Sequence, residues 1–147
     1  MNDPPIPATP GRRGAIGVVL RAGRFLVVER SRTVVAPGKL CFPGGGIEPG
    51  ETPEEALVRE FFEELGTAVR PVRFLWENTT PWQVHLSWWL AELTEDAEMN
   101  PNPAEVAAVH WMTIAELESA DAFLESNRPF LGRLGALAAR MHGEPMP

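Results

Sequence analysis

Glu60, Glu63 and Glu64 stand at i, i+3 and i+4, so a helix through them sets three carboxylates on one face. Like charges at that spacing destabilise a helix by roughly 0.2–0.5 kcal/mol per pair, and a divalent cation relieves the crowding. Arg59 is expected to point off this face, beside Glu60, which leaves the carboxylates no basic partner. Oxygen ligands without His or Cys suit a hard ion, Mg2+ or alternatively Mn2+, held by a few carboxylates together with substrate phosphates and water. Just upstream, residues 37–50 hold five glycines and three prolines. The backbone of such a loop can come close to a ligand.

The elements that must position these groups follow from local signals. Thr52 as N-cap, Pro53 at the first helical position, Glu55 three residues after the cap and Gly66 beyond the end predict a helix over 52–65. Its apolar arc is Leu57, Val58, Phe61, Phe62 and Leu65. Ala15–Leu20 and Arg24–Arg30, separated by Arg21-Ala22-Gly23, predict a β-hairpin. Residues 36–50 read as a loop with a brief strand at most around Leu40–Phe42. Val69–Trp76, Trp82–Glu92 and Val106–Met112 read as strands, 94–103 as a loop, Ile114–Ser119 as a short helix and Pro129–Met141 as a closing amphipathic helix. Strands outnumber helices without strict alternation, so the fold class is α/β, a mixed sheet with helices packed on it. The first 13 residues, with prolines at 4, 5, 7 and 10, read as a flexible lead-in to one domain over 14–147.

The chain of 147 residues has room for one such domain, and 44% hydrophobic residues can build its core. No apolar run approaches the ~18 residues of a membrane helix, and the Pro-rich start has no apolar stretch like that of a signal peptide. Cys41 is the only cysteine and forms no internal disulfide, which fits a reducing compartment, so a cytoplasmic location is expected. The net charge of −7 is unevenly spread: residues 1–44 carry two acids and seven bases, residues 45–66 seven acids and one base. That order suits a metal cation meeting an anionic ligand, and an acidic chain makes extended nucleic acid an unlikely partner.

Written out, Gly45, five residues, Glu51, seven residues and Arg59-Glu60-Phe61-Phe62-Glu63-Glu64-Leu65-Gly66 resembles the Nudix box, the signature of the Nudix hydrolases. Thr67 departs from the aliphatic residue usual after the box, and Leu40 stands where the family's lead-in often has Trp. The resemblance runs from about Gly14 to Leu117. It implies an α/β/α sandwich and Mg2+-dependent hydrolysis of a nucleoside diphosphate linked to another group, such as a nucleoside triphosphate or a nucleotide sugar. It also implies Glu60, Glu63 and Glu64 as metal ligands, with the carbonyl of Gly45 as a further one. Arg59 and Glu51 would orient the glutamates. Glu105, six residues before Trp111-Met112, is similar in spacing to an acid that some members use as a metal ligand or general base.

For the general base, one of the box glutamates, Glu105 and His85 remain alternatives. Arg30, Arg32 and Lys39 are candidates for phosphate contact. Among the tryptophans Trp82 or Trp89 suits stacking on a nucleobase, whereas Trp88 shares the apolar face of its strand and belongs to the core. A nucleotide-sensing module without catalysis and an RNA 5′-end pyrophosphohydrolase are the competing functions. The partner is a small nucleotide in either a monomer or a homodimer.

Overall fold

The computed structural model describes residues 12–94 and 97–141; most of the Pro-rich lead-in therefore lies outside the described residues. Strands β1 (Arg13–Val18), β2 (Leu20–Arg21), β3 (Arg24–Arg30), β4 (Leu40–Cys41) and β5 (Gly44–Gly46) precede helix α1 (Pro53–Leu65). Then follow β6 (Val69–Thr79), β7 (His85–Leu93), β8 (Val106–Met112), α2 (Ile114–Ser119), a 3-10 turn (Glu125–Asn127), α3 (Arg128–Leu131) and α4 (Leu134–Met141). One mixed sheet has the order β5-β1-β7-β6, with β1 parallel to β7 and the other pairs antiparallel. The second sheet is antiparallel, with β3 paired to β2, β4 and β8.

Alternation along the strands feeds two cores. Ala15, Leu26, Val28, Ala91 and Leu93 pack with Ala56, Leu57, Phe61 and Leu65 of α1. Ile16, Val18, Phe25, Val27, Leu86, Trp88 and Leu90 pack with Leu117, Phe130, Leu134 and Leu137 from the C-terminal helices. The sheets therefore lie between α1 and the C-terminal helices, the expected α/β/α arrangement.

The hairpin expected over 15–30 exists only at its tip, where Leu20 pairs with Phe25 and Arg21 with Arg24. β1 instead joins β5 and β7, and the chain crosses between sheets at Val19, so the arms of the expected hairpin belong to different sheets. β1 also begins at Arg13, whose neighbour Arg12 accepts a backbone hydrogen bond from His85 at 2.9 Å. β7 begins at His85 rather than Trp82. Pro81, Trp82 and Gln83 (φ 64°) form a turn closed by Thr80 N–H on the Val84 carbonyl at 2.9 Å, and β6 runs on to Thr79 to meet it. The closing helix is split into α3 and α4 at Gly132, where the absence of a side chain weakens helix propensity. The loop expected over 36–50 contains two short strands, one of them three consecutive glycines. Val58 and Phe62, assigned by sequence to the buried arc of α1, are 43% and 68% exposed. The core needs only the narrower stripe Ala56, Leu57, Phe61 and Leu65.

Candidate active site

α1 starts and stops as its sequence dictates. The Thr52 side chain accepts from Glu55 N–H, the Glu55 carboxylate accepts from Thr52 N–H, and Gly66 closes the helix at φ 61°. That fixes the phase of Arg59, Glu60, Glu63 and Glu64 against the sheet. β5 lies alongside with almost no clearance. A Cβ on Gly45 would sit 2.5 Å from the Glu60 carboxyl carbon, and one on Gly44 would sit 2.2 Å from the Ala15 carbonyl. The glycines let the strand approach both β1 and the carboxylates.

Arg59 does not point away from the acids. It stands at i−4 from Glu63, and its guanidinium lies among them. Nε and Nη2 donate to the two oxygens of Glu51 at 2.7 and 3.0 Å, and Nη1 donates to Glu60 at 3.0 Å and Glu63 at 3.2 Å. Nη2 also donates to the Gly46 carbonyl at 2.8 Å, tying the glycine strand to the helix. The bidentate bond from Arg59 holds Glu51 down to about 2, well below its ordinary value.

Glu64 faces inward, and its Oε1 accepts from Gly44 N–H at 3.1 Å. Burial, and then the neighbouring charge of Glu60, push its carboxyl up to about 8. Burial also raises Glu60, against the opposing bond from Arg59, and the charges of Glu63 and Glu105 act in the same upward direction. Glu105 thus lies within electrostatic reach of both Glu60 and Glu64. Its Oε2 is buried with no hydrogen-bond partner among the described residues.

Glu60 and Glu64 crowd together beside Glu105, and both are harder to ionise than an exposed carboxyl. Among the described residues no three acidic, His or Cys side chains are gathered tightly enough to hold a metal as they stand. Arg59 holds the carboxylates of Glu60 and Glu63, and the Gly44 amide holds that of Glu64. The donor chemistry nevertheless fits a hard divalent cation, because every side-chain donor is a carboxylate and one buried oxygen is unpartnered. The peptide N–H that turns toward these acids belongs to Gly44. Gly45 lies opposite Ala15, between the bonds Gly17 N–H to Pro43 O and Ile47 N–H to Arg13 O, a register that turns its peptide groups toward β1. The contribution of Gly45 is the space left by its missing side chain.

A cleft of about 160 Å3 opens beside β5, lined by Gly44, Gly45 and Gly46 and by Arg12, Arg13, Arg30, Phe42 and Asn127. Arg30, a candidate for phosphate contact, lines the cleft; its charge acts on Glu64 and its Nε donates to Val35 O at 2.6 Å. Lys39 and Trp82 do not line this cleft. Trp82 lines a neighbouring hollow that shares Ser126 with it. Trp89 packs edge-on against Phe74 away from the cleft, and Trp88 is fully buried and stacked on Phe130 at 4.6 Å. His85 bonds Thr79 and Glu77 at 3.3 Å each.

Sequence reasoning missed Asn127, which is 2% exposed and accepts from Phe42 N–H at 2.9 Å. Asn127 also borders the cleft. An Asn just before a helix reads as an ordinary cap, and nothing in its spacing marks the burial. Arg12 and Arg13 were likewise hidden in the expected lead-in.

Comparison with known proteins matches this architecture. The NUDIX domain family matches residues 11–134. A Nudix hydrolase of Rhodococcus erythropolis is 37% identical over 118 residues, covering 69% of this chain and 63% of that protein. The 8-oxo-dGTP diphosphatase of Escherichia coli is 33% identical over 127 residues, 84% of this chain and 95% of that protein. Among solved structures, the NUDIX hydrolase of Nitrosomonas europaea superposes with a TM-score of 0.75 at 20% identity, covering 93% of this chain and 76% of that one. The MutT NUDIX hydrolase of Burkholderia pseudomallei gives 0.71 at 24% identity, with coverage of 84% and 97%. No helix among the described residues is long and apolar enough to cross a membrane. With the box residues, the sandwich and the family match in agreement, the chain belongs to the Nudix hydrolase family.

Proposed function

We propose that this hydrolase cleaves the diphosphate linkage of a nucleoside triphosphate in the presence of Mg2+, or Mn2+ in its place, releasing the nucleoside monophosphate. The observation that carries the reading is the continuity between the cleft and the carboxylate cluster through Gly44–Gly46. A phosphate chain leaving the cleft crosses the glycine strand and arrives at Glu60 and Glu64. The Escherichia coli diphosphatase, which aligns over 95% of its length, supports a triphosphate substrate.

Glu60, Glu63 and Glu64 would hold the ion, with Glu105 completing the set or accepting the proton of the attacking water. Bound there, a divalent ion supplies charge neutralisation along the diphosphate and activation of water for in-line attack on phosphorus. Arg59 keeps Glu51, Glu60 and Glu63 in a fixed mutual arrangement, a role whose loss typically costs about 10–100-fold in metal affinity or activity. Arg30, with Arg12 and Arg13, offsets phosphate charge at the mouth of the cleft. Asn127, at the cleft wall, would offer polar contact to a base bound there.

The test is a hydrolysis screen of the purified protein with Mg2+ over canonical and oxidised nucleoside triphosphates, nucleotide sugars, ADP-ribose, dinucleoside polyphosphates and 5′-triphosphate or capped RNA. Release of a monophosphate and pyrophosphate from a nucleoside triphosphate is expected. Turnover confined to RNA ends or nucleotide sugars would overturn the substrate class. No turnover of any member, with ligand-induced melting shifts retained, would point to a sensing module.

A further inference from the structure

Glu105 is held from two sides. On one side, the β3–β4 connection reaches over to it: Ser31 N–H donates to the Glu105 carbonyl at 3.0 Å, and the hydroxyls of Ser31 and Thr33 donate to the preceding carbonyl, that of Ala104, at 2.8 and 2.7 Å. The two hydroxyls are themselves 3.0 Å apart. Ser31 is 5% exposed, so its hydroxyl is committed to this contact with little competition from water.

On the other side, the β7–β8 loop that carries Glu105 caps α1. Asn100 N–H donates to Leu65 O at 2.6 Å and Asn102 N–H to Glu64 O at 2.8 Å, satisfying carbonyls that the end of a helix leaves without partners. Gly66 makes this approach possible, since a Cβ there would sit 2.7 Å from the Asn100 carbonyl oxygen. Within the loop the Asn102 side chain accepts from Ala104 N–H at 3.1 Å, and its carbonyl accepts from Glu105 N–H at 2.9 Å. The backbone at Glu105 is therefore pinned to the turn that carries Glu64 and to a buried serine just past β3, the strand that pairs with β8.

A carboxylate whose Oε2 is buried and unpartnered would ordinarily swing toward water or a donor. Fixing its backbone opposes that swing and keeps the acid facing Glu60 and Glu64. We infer that Ser31 and Thr33 form a hydroxyl clasp that acts as a positioning device for Glu105, setting the geometry of the acid on which hydrolysis depends. The inference rests on the proposed role of Glu105 beside the metal-binding glutamates. Neither hydroxyl touches the cleft or the carboxylates, so the clasp acts only through the loop.

The experiment compares Ser31→Ala/Thr33→Val, Thr33→Ser and Glu105→Gln in the full chain, using the nucleotide that the hydrolysis screen identifies. It reads kcat and KM separately, together with amide hydrogen exchange at residues 102–106 and the melting temperature. The double variant is expected to lose about tenfold in kcat with KM within about twofold, the range typical of outer groups that orient a ligand. Exchange at 104–106 should rise, while the exposed conservative change Thr33→Ser keeps both the rate and the protection. Faster exchange with an unchanged kcat, where Glu105→Gln is slow, would overturn the clasp and leave the role of Glu105 standing. Unchanged exchange would overturn it as well. Full activity in Glu105→Gln would overturn the role of Glu105 itself, and the clasp with it. Because Thr33 is exposed, Thr33→Val alone serves if the buried Ser31 substitution lowers melting sharply.

Discussion

At the scale of single residues, the site depends on one guanidinium whose place was only half legible. The spacing Arg59-Glu60…Glu63-Glu64 exposes the carboxylate face, but the sequence reading directed Arg59 away from it. Helical phase alone does not place so long a side chain: Arg59, at i−4 from Glu63, reaches across to Glu51 and to the Gly46 carbonyl. Arg59 uses the planar fork, not merely the charge, since Nε and Nη2 meet both oxygens of Glu51. Arg59→Lys keeps the charge and loses the fork. The expected outcome is a fall in kcat of roughly 10–100-fold with KM little changed, measured at saturating Mg2+. An equal loss in Arg59→Lys and Arg59→Ala would show that the fork is what counts; near-normal turnover in the lysine variant would mean that charge alone suffices. Glu64→Gln is the sharper substitution, because it removes the buried acid's ability to ionise as a ligand while preserving its shape. Turnover should fall by roughly 100-fold or more without loss of the fold, checked by phosphate release and circular dichroism. Glu63→Gln should lose turnover in the same way.

At the scale of elements, α1 was legible because its signals are local: the cap, the proline, the terminal glycine and the acidic face lie within fifteen residues of one another. β5 was not. Three consecutive glycines argue against a strand by propensity, and the strand forms here because a side chain at Gly44 or Gly45 would collide with β1 or with Glu60. The hairpin was misread for a related reason, since strand pairing is a long-range choice, and β1 finds its parallel partner at β7, some seventy residues on. Two glycines of this region separate packing from chemistry. A Cβ on Gly17 would meet the Phe61 ring at 2.5 Å and Leu57 at 3.4 Å inside the core, with no free direction of escape. Gly17→Ala is expected to cost about 1–3 kcal/mol, seen as a lower melting temperature. A Cβ on Gly45 would meet the carboxyl end of Glu60, the far end of a flexible side chain, so the displacement falls on the bond from Arg59 rather than on the core. Gly45→Ala should therefore melt close to the parent while its activity requires much more Mg2+. Equal melting losses in the two variants would contradict this division between a packed ring and a movable carboxylate.

At the scale of the whole molecule, the acids that equip the site make the metal-free fold sensitive to pH. Glu64 has an ordinary value of 4.5 when exposed and is pushed up to about 8 in the folded chain, mainly by burial and then by Glu60. Between those values the folded protein retains a proton that the unfolded chain has released, so stability declines as pH rises through that window. The raised Glu60 carboxyl adds in the same direction. Glu51 acts in the opposite sense, since Arg59 holds it down to about 2; the stability it contributes is present above 4.5 and is lost as pH falls toward 2. The metal-free protein should accordingly be most stable in mild acid. A divalent ion bound only by the folded, ionised cluster reverses the alkaline loss, and its effect grows as protons leave the ligands. Thermal unfolding in chelator from about pH 5 to about pH 8 should show a falling melting temperature, and added Mg2+ should raise it more at the alkaline end. Glu64→Gln, which has no proton to release, should flatten the chelator curve and shrink the Mg2+ shift. A flat curve in the parent protein would mean that Glu60 and Glu64 do not share a buried environment, and a Mg2+ shift untouched by Glu64→Gln would place the ion elsewhere.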